Sequence, residues 1–129
     1  MLKIRRGQSL RLYSTADGAV EFPTLCKAFI ETEIRHAVAR RESLQRIVKG
    51  FYDALARIVG NSVFTKIPPK CEFVGLCGGA ALDPAFVAAM RHALGSTHQI
   101  RVAEAPIYTG AFGAALLAIE YDNGNSKNS

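Results

Sequence analysis

The chain has no tryptophan, and its three cysteines, Cys26, Cys71 and Cys77, form no Cys-x-x-Cys pair. This pattern argues against a disulfide framework and against a zinc site built by this chain alone. The three histidines form no His-Glu-x-x-His arrangement. No apolar run approaches the ~20 residues that a membrane-spanning helix needs, and the first residues lack the apolar core of a secretory signal. We therefore expect a cytoplasmic protein without a membrane segment.

The composition is that of a single globular domain, with 129 residues, 49% of them hydrophobic and 21% charged. The net charge of +5 arises in the first 60 residues, which hold eleven basic and six acidic side chains. A basic half can indicate nucleic acid, an anionic cofactor or an acidic partner, but a solvated helix face is the favoured explanation. No basic motif is interleaved with aromatics, so nucleic acid is not the favoured partner.

The first half of the sequence predicts strands followed by helices. Residues 1–23 alternate in "SLRLYS" and "AVEF" around the turn-like "ADG", which predicts two short strands or an amino-terminal extension. Apolar residues then recur at helical spacing over 24–39 and over 43–59. The pair Gly60-Asn61 is a typical helix stop.

The second half predicts strand, helix, strand and helix, the order of an α/β layer with parallel strands. Asp83 and Pro84 have the residue types of a helix N-cap and first helical position. The polar composition of 122–129 predicts a disordered tail. The predicted elements are a buried strand at 72–77, a helix at 84–94, a strand at 99–105, and a helix at 110–120 that Thr109 caps.

Two sets of small residues stand out in this half. Gly78 and Gly79 follow the first strand, at the edge of an open α/β sheet where ligands usually bind. Backbone without a Cβ can touch a base, a ribose or a phosphate, although a plain tight turn would use the same residues. Gly110 and Gly113 weaken the last helix, so we expect that helix to lie close against another element.

Both sets occur in stretches that resemble a known family. The stretch "VGLCGGAALDPAFVAAMRHALG", a strand and then "APIYTGAFGAALLA" resemble the carboxyl-terminal portion of the BadF/BadG/BcrA/BcrD ATPases. These include activators of 2-hydroxyacyl-CoA dehydratases and ATPase subunits of benzoyl-CoA reductase. The resemblance implies an α/β fold, the carboxyl-terminal part of an actin, hexokinase and acetate kinase-like (ribonuclease H-like) domain, over 24–121. It also implies ATP or ADP with Mg²⁺, the nucleotide being bound by Gly78, Gly79, Ala80 and Asp83.

A third match concerns "CKAFIETEI", which is similar to the family's Cys-x-x-Phe-Ala-Glu-x-Glu. In the family, that cysteine helps to hold a [4Fe–4S] cluster with two cysteines from each of two subunits. The resemblance thus implies that Cys26 is a cluster ligand. Cys71 and Cys77 match no cluster position, and we expect them in the core.

Several family segments have no counterpart in this sequence. The phosphate-binding "D-x-G-x-x-(S/T)", the second cysteine motif "C-A-(A/S)-G-(T/S)-G" and the "G-I-H-x-S" pattern are all missing. Nucleotide hydrolysis in this superfamily needs a cleft that holds metal and phosphate. We therefore expect the chain alone to bind nucleotide weakly and to hydrolyse it negligibly.

The resemblance implies part of an ATPase subunit that couples ATP hydrolysis to low-potential electron transfer. The implied partners are a second ATPase subunit, an acyl-CoA reductase or dehydratase, and a ferredoxin or flavodoxin as electron donor. Two alternatives stay open. One is a sugar or N-acetylglucosamine kinase-like member of the superfamily, which needs no cluster. The other is a non-catalytic basic module for binding or assembly.

Overall fold

The computed structural model describes residue 4 and residues 6–23, 27–64, 66–68, 70–94 and 98–125. β1 and β2 pair in parallel, so the predicted α/β class with a short parallel sheet is confirmed. In chain order the elements are α1 (Arg6–Ser14), α2 (Lys27–Ala39), α3 (Leu44–Phe64), β1 (Phe73–Leu76), a 3₁₀ helix (Gly79–Leu82), α4 (Pro84–Leu94), β2 (Gln99–Val102) and α5 (Thr109–Asn125).

The amino-terminal strands were wrongly predicted, because the described part of 1–23 contains α1 and no strand. Leu10 and Leu12 suggested a period of two, but Leu10 is exposed and Leu12 only half-buried. The buried residues are Ser9 and Tyr13, four positions apart, which is the spacing of one helical face. Helix α1 packs this face on α3 and α4.

The segment after α1 is extended and lies on α3 without forming a strand. Val20 and Phe22 are buried, and the Val20 amide donates to the Arg46 carbonyl at 3.0 Å. A Cβ on Gly50 would lie 1.9 Å from the Val20 carbonyl oxygen. Glycine at position 50 of α3 therefore permits this close approach of the two backbones.

Helix α3 carries both halves of the core. Its amino-terminal part packs with α2 and the extended segment around Ile47 and Ala54. Its later residues join α1, α4 and the sheet around Ala56. The predicted stop at Gly60-Asn61 was wrong, since the helix continues to Phe64. Gly60 is buried in the structure, which fits a packing role inside the helix rather than a cap.

The second half follows the predicted order with shorter strands. Helix α4 has the predicted bounds, Pro84–Leu94. In β1, Leu76 is buried and Val74 half-buried, but Phe73 and Gly75 are exposed. The strand is thus buried on one face only, which corrects the expectation of a buried strand.

The carboxyl-terminal helix is longer than predicted, because α5 runs from Thr109 to Asn125. The tail prediction is therefore wrong for residues 122–125, and residues 126–129 lie outside the described part. The Thr109 hydroxyl donates to the carbonyls of Ala105 and Pro106, each at 3.3 Å. The hydroxyl thus bonds back to the loop before the helix, and among the described residues it accepts no hydrogen bond from a helix N–H.

The two described cysteines are not core residues, contrary to expectation. Cys71 is half-buried, and its thiol lies 2.8 Å from the Phe73 carbonyl oxygen. Cys77 is exposed at the end of β1. Both flank the short strand rather than lying within it, so neither side chain is carried into the packed face.

No helix in the described ranges is long and apolar enough to cross a membrane.

Candidate functional site: a glycine turn at the sheet edge

The predicted glycine turn lies at the carboxyl end of β1. Gly78 has φ 86° and ψ 179°, and this positive φ favours glycine because it has no Cβ. The Gly78 carbonyl accepts from the Ala81 amide at 3.2 Å, which opens the 3₁₀ helix. The first three predicted nucleotide-binding residues, Gly78, Gly79 and Ala80, are therefore consecutive in one turn.

The turn is open to solvent on one side. Gly79 and Ala80 are exposed, and Gly78 is half-buried. A Cβ at Gly78 or Gly79 would meet no atom within 4 Å. The described chain leaves space above this backbone, into which a flat ligand could approach without moving a side chain.

The loop that follows β2 forms a second side of this edge. The Gly78 amide donates to the Pro106 carbonyl at 2.7 Å, and the Ala103 amide donates to the Leu76 carbonyl at 3.1 Å. These bonds join the carboxyl ends of both strands. Tyr108, which follows Pro106 by two residues, is 64% exposed and is an aromatic side chain that sequence reasoning did not single out as a site residue.

Asp83, the fourth predicted site residue, is bound into the protein. Its Oδ1 accepts from the Ser9 hydroxyl at 2.9 Å and from the Ala85 amide at 3.0 Å. Its Oδ2 accepts from the Tyr52 hydroxyl at 2.5 Å. The Ala85 contact confirms the predicted N-cap of α4. The other two tie the start of α4 to α1 and α3.

Burial and the hydrogen bond to the Asp83 carboxylate raise the pKa of Tyr52 well above its ordinary value of 10.0. The folded chain thus favours the protonated phenol, which donates to Asp83. Sequence reasoning missed this network because Ser9 and Tyr52 lie 74 and 31 residues from Asp83. Neither residue belongs to a local motif.

A second tyrosine lies beside the first. The Tyr13 hydroxyl donates to Asp53 Oδ1 at 2.7 Å, and Lys49 Nζ lies 3.1 Å from Asp53 Oδ2 and 4.5 Å from the Tyr13 ring centre. Burial, with this acceptor, raises the pKa of Tyr13 as well. The Tyr13 and Tyr52 rings meet edge to face at 6.3 Å, so the two networks are in contact with each other.

A groove of about 600 Å³ runs between α2 and α3. Its walls are mainly apolar, with Ile30, Ile34 and Phe51 among them, and Glu31 and Arg35 add charges of opposite sign. Glu31 belongs to the "CKAFIETEI" match, but Cys26 lies outside the described residues. The position of the predicted cluster ligand is therefore not described.

Neither Cys71 nor Cys77 forms an alternative metal site with other described side chains. Within the described ranges, no three His, Cys, Asp or Glu side chains lie close enough together to hold a metal ion.

Three comparisons bear on this arrangement. A sequence model of the BadF/BadG/BcrA/BcrD ATPase family matches residues 9–118. The match starts within α1, so it reaches further towards the amino terminus than the motifs alone indicate. No curated protein matches the chain significantly.

Among solved structures, the activator of the 2-hydroxyisocaproyl-CoA dehydratase from Clostridium difficile, with bound ADPNP, is similar in fold with a TM-score of 0.77. The two sequences are 24% identical over 98% of this chain and 46% of the activator. This chain thus spans about half the length of its structural neighbour.

Proposed function

The chain belongs to the BadF/BadG/BcrA/BcrD ATPase family, and from that premise we propose that it supplies the adenosine-side wall of a nucleotide site. The observation that carries the proposal is the open turn formed by Gly78, Gly79 and Ala80 at the sheet edge. The solved neighbour was obtained with ADPNP bound, which supports a nucleotide as the ligand class.

Backbone, rather than charged side chains, forms the proposed contact surface. Gly78 and Gly79 allow the face of a base or ribose to approach the main chain. Tyr108 offers an exposed ring on the neighbouring loop. Asp83 is assigned a positioning role, since its carboxylate holds the turn to α1 and α3. Its direct contact with nucleotide stays a prediction.

The phosphates and their Mg²⁺ belong to another part of the assembly in this proposal. The sequence has no "D-x-G-x-x-(S/T)" segment, and the described residues offer no cluster of metal-binding side chains. ATP hydrolysis needs metal and phosphate held in line with the attacking water. The chain alone is therefore proposed to bind nucleotide weakly and to be inactive.

We further propose the electron-transfer context that the family implies. A [4Fe–4S] cluster takes four thiolates, and Cys26 is the one cysteine in this chain that matches a cluster position. The remaining thiolates would come from partner polypeptides, including a second ATPase subunit. The cluster would carry an electron from a ferredoxin or flavodoxin to an acyl-CoA reductase or dehydratase, and nucleotide turnover would drive this transfer.

The nucleotide proposal is tested by adding one side chain at the turn. Gly79→Val places a branched side chain in open space, so we expect folding stability to be retained. It should abolish the rise in melting temperature that millimolar ADP gives the wild type, because ligand binding stabilises the folded state.

Gly75→Val is the matched control, since Gly75 also faces open space but lies within β1. It should keep the ADP effect. If the wild type shows no ADP effect at any concentration, the alternative of a non-catalytic binding or assembly module is favoured.

The cluster proposal has a separate test. Anaerobic reconstitution with iron and sulfide, in the presence of partner cysteines, should give thiolate-to-iron absorption that Cys26→Ser reduces. Cys71→Ser and Cys77→Ser are the matched controls and should leave the absorption unchanged. Equal behaviour of all three variants would contradict the cluster role and would favour the kinase-like alternative.

A further inference from the structure

The exposed part of the glycine turn, Gly79 and Ala80, is fixed mainly by the residues on either side of it. A Cβ on Gly79 would meet no atom within 4 Å, so no described side chain packs on this backbone. On one side the Gly78 amide donates to the Pro106 carbonyl at 2.7 Å, and on the other the Asp83 amide donates to the Ala80 carbonyl at 3.0 Å. The position of the exposed backbone therefore depends on how firmly its two sides are held.

Asp83 fixes the carboxyl-terminal side of the turn to the rest of the fold. Its main chain lies between the 3₁₀ helix and α4, and its carboxylate accepts from Ser9 of α1 at 2.9 Å and from Tyr52 of α3 at 2.5 Å. A carboxylate held by donors on two different helices cannot shift without breaking one of these bonds. Ser9 is 1% exposed, so water does not readily replace the carboxylate as its partner.

Packing alone does not fix the Tyr52 ring. Tyr52 is only half-buried, and it lines the groove of about 600 Å³ between α2 and α3. Its ring meets those of Phe51 at 5.4 Å and Tyr13 at 6.3 Å, both edge to face. The groove leaves space for the ring to move, so the hydrogen bond to Asp83 restrains the ring and the carboxylate together.

We propose that Tyr52 and Ser9 are positioning residues of the nucleotide turn. By holding Asp83, they keep the exposed backbone in the geometry to which a base or ribose binds. The inference rests on the proposed function, and it gives a part in that function to two side chains outside the turn that do not touch the ligand. Tyr52 should have the larger effect, because its hydrogen bond to the carboxylate is the shorter of the two.

Tyr13 offers a matched control in the same cluster. Its hydroxyl donates to Asp53 at 2.7 Å rather than to Asp83, and its ring lies against that of Tyr52. Tyr13→Phe therefore removes the same kind of hydrogen bond from the same region without releasing Asp83. A general loss of stability would affect both tyrosine variants, whereas a loss of turn geometry would follow Tyr52→Phe alone.

Amide hydrogen exchange, measured by NMR without nucleotide, tests the positioning itself. The amides of Ala81 and Asp83 donate to carbonyls of the turn. In Tyr52→Phe they should exchange about fivefold faster than in the wild type, because the turn loses one charge-assisted hydrogen bond from its support. In Tyr13→Phe their exchange should be that of the wild type. Unchanged exchange in Tyr52→Phe, or equal acceleration in both variants, would overturn the proposal.

Calorimetric titration with ADP tests the consequence for the ligand. The dissociation constant of ADP should rise about fivefold in Tyr52→Phe and stay unchanged in Tyr13→Phe. Tyr52→Phe combined with Asp83→Ala should bind ADP no more weakly than Asp83→Ala alone, because Tyr52 acts through Asp83. Additive losses would contradict that route. A wild type that binds no ADP would contradict the proposed function, while the exchange rates would still decide whether Tyr52 positions the turn.

Discussion

Helices α4 and α5 are both apolar, but they differ in burial. Six of the eleven residues of α4 are buried, among them Phe86, Met90 and Leu94. No described residue of α5 is buried. Because α4 packs on α1, α3 and β2 while α5 has no comparable neighbours among the described elements, apolar content alone does not determine burial. Helix α4 is part of the core, whereas the described residues of α5 lie at the surface.

The largest effect is expected when matched leucines in the two helices are shortened. Leu94 is 0% exposed, so Leu94→Ala should lower the free energy of unfolding by about 2–5 kcal/mol. Leu117 is 67% exposed, and Leu117→Ala should cost less than about 0.5 kcal/mol. Urea unfolding of the isolated chain measures both. A similar loss for both would mean that α5 is covered in solution and would break the comparison.

The first residues of the two helices should also contribute unequally to the free energy of unfolding, with the larger contribution at the start of α4. Asp83 caps α4 and accepts hydrogen bonds from Ser9 and Tyr52, whereas the Thr109 hydroxyl bonds only to carbonyls of its own loop. Asp83→Ala should lower the free energy of unfolding by about 1–3 kcal/mol. Thr109→Ala should change it by less than about 0.5 kcal/mol.

Asp83→Asn separates the cap from the charge, because the amide oxygen can still accept from the Ala85 amide. It should lose less stability than Asp83→Ala in the same urea measurement. If nucleotide affinity falls with the alanine variant and recovers with asparagine, Asp83 acts by positioning the turn. An equal loss of affinity in both variants, with unequal stability, would favour direct contact with the ligand.

The hydrogen bond from Tyr52 to Asp83, at the start of α4, should stabilise the fold less at alkaline pH. The pKa of Tyr52 is higher in the folded chain than its ordinary value of 10.0. The folded state therefore favours the protonated phenol. This stabilisation is complete below pH 10 and declines above it, as the unfolded chain begins to lose the proton.

Urea unfolding at about pH 9 and about pH 11 measures that decline. Tyr52→Phe should lose less stability than the wild type across this interval, with Tyr13 still contributing. Tyr121→Phe, at a side chain 73% exposed on α5, should behave as the wild type. Identical slopes in all three proteins would contradict the role of the Tyr52–Asp83 hydrogen bond.

Sequence signals predicted α4 and the glycine turn because their determinants are local. Asp83 and Pro84 specify the helix start over two positions, and Gly78 meets the need for a positive φ within one turn. The support of the turn was not predictable in this way, because Ser9 and Tyr52 reach Asp83 only in the folded chain. Helix α1 was missed because Leu10 and Leu12 have the two-residue spacing of a strand. In addition, its buried face includes Ser9, a polar residue that does not indicate burial.

The smallest expected effect concerns a glycine of α5. A Cβ at Gly113 would meet no atom within 4 Å, so Gly113→Ala should raise the free energy of unfolding of the isolated chain by up to about 1 kcal/mol, through helix propensity alone. Urea unfolding measures this gain. A Gly113→Ala variant that is less stable than the wild type would show that a neighbouring group packs closely against Gly113, and α5 would then resemble α4 at this position.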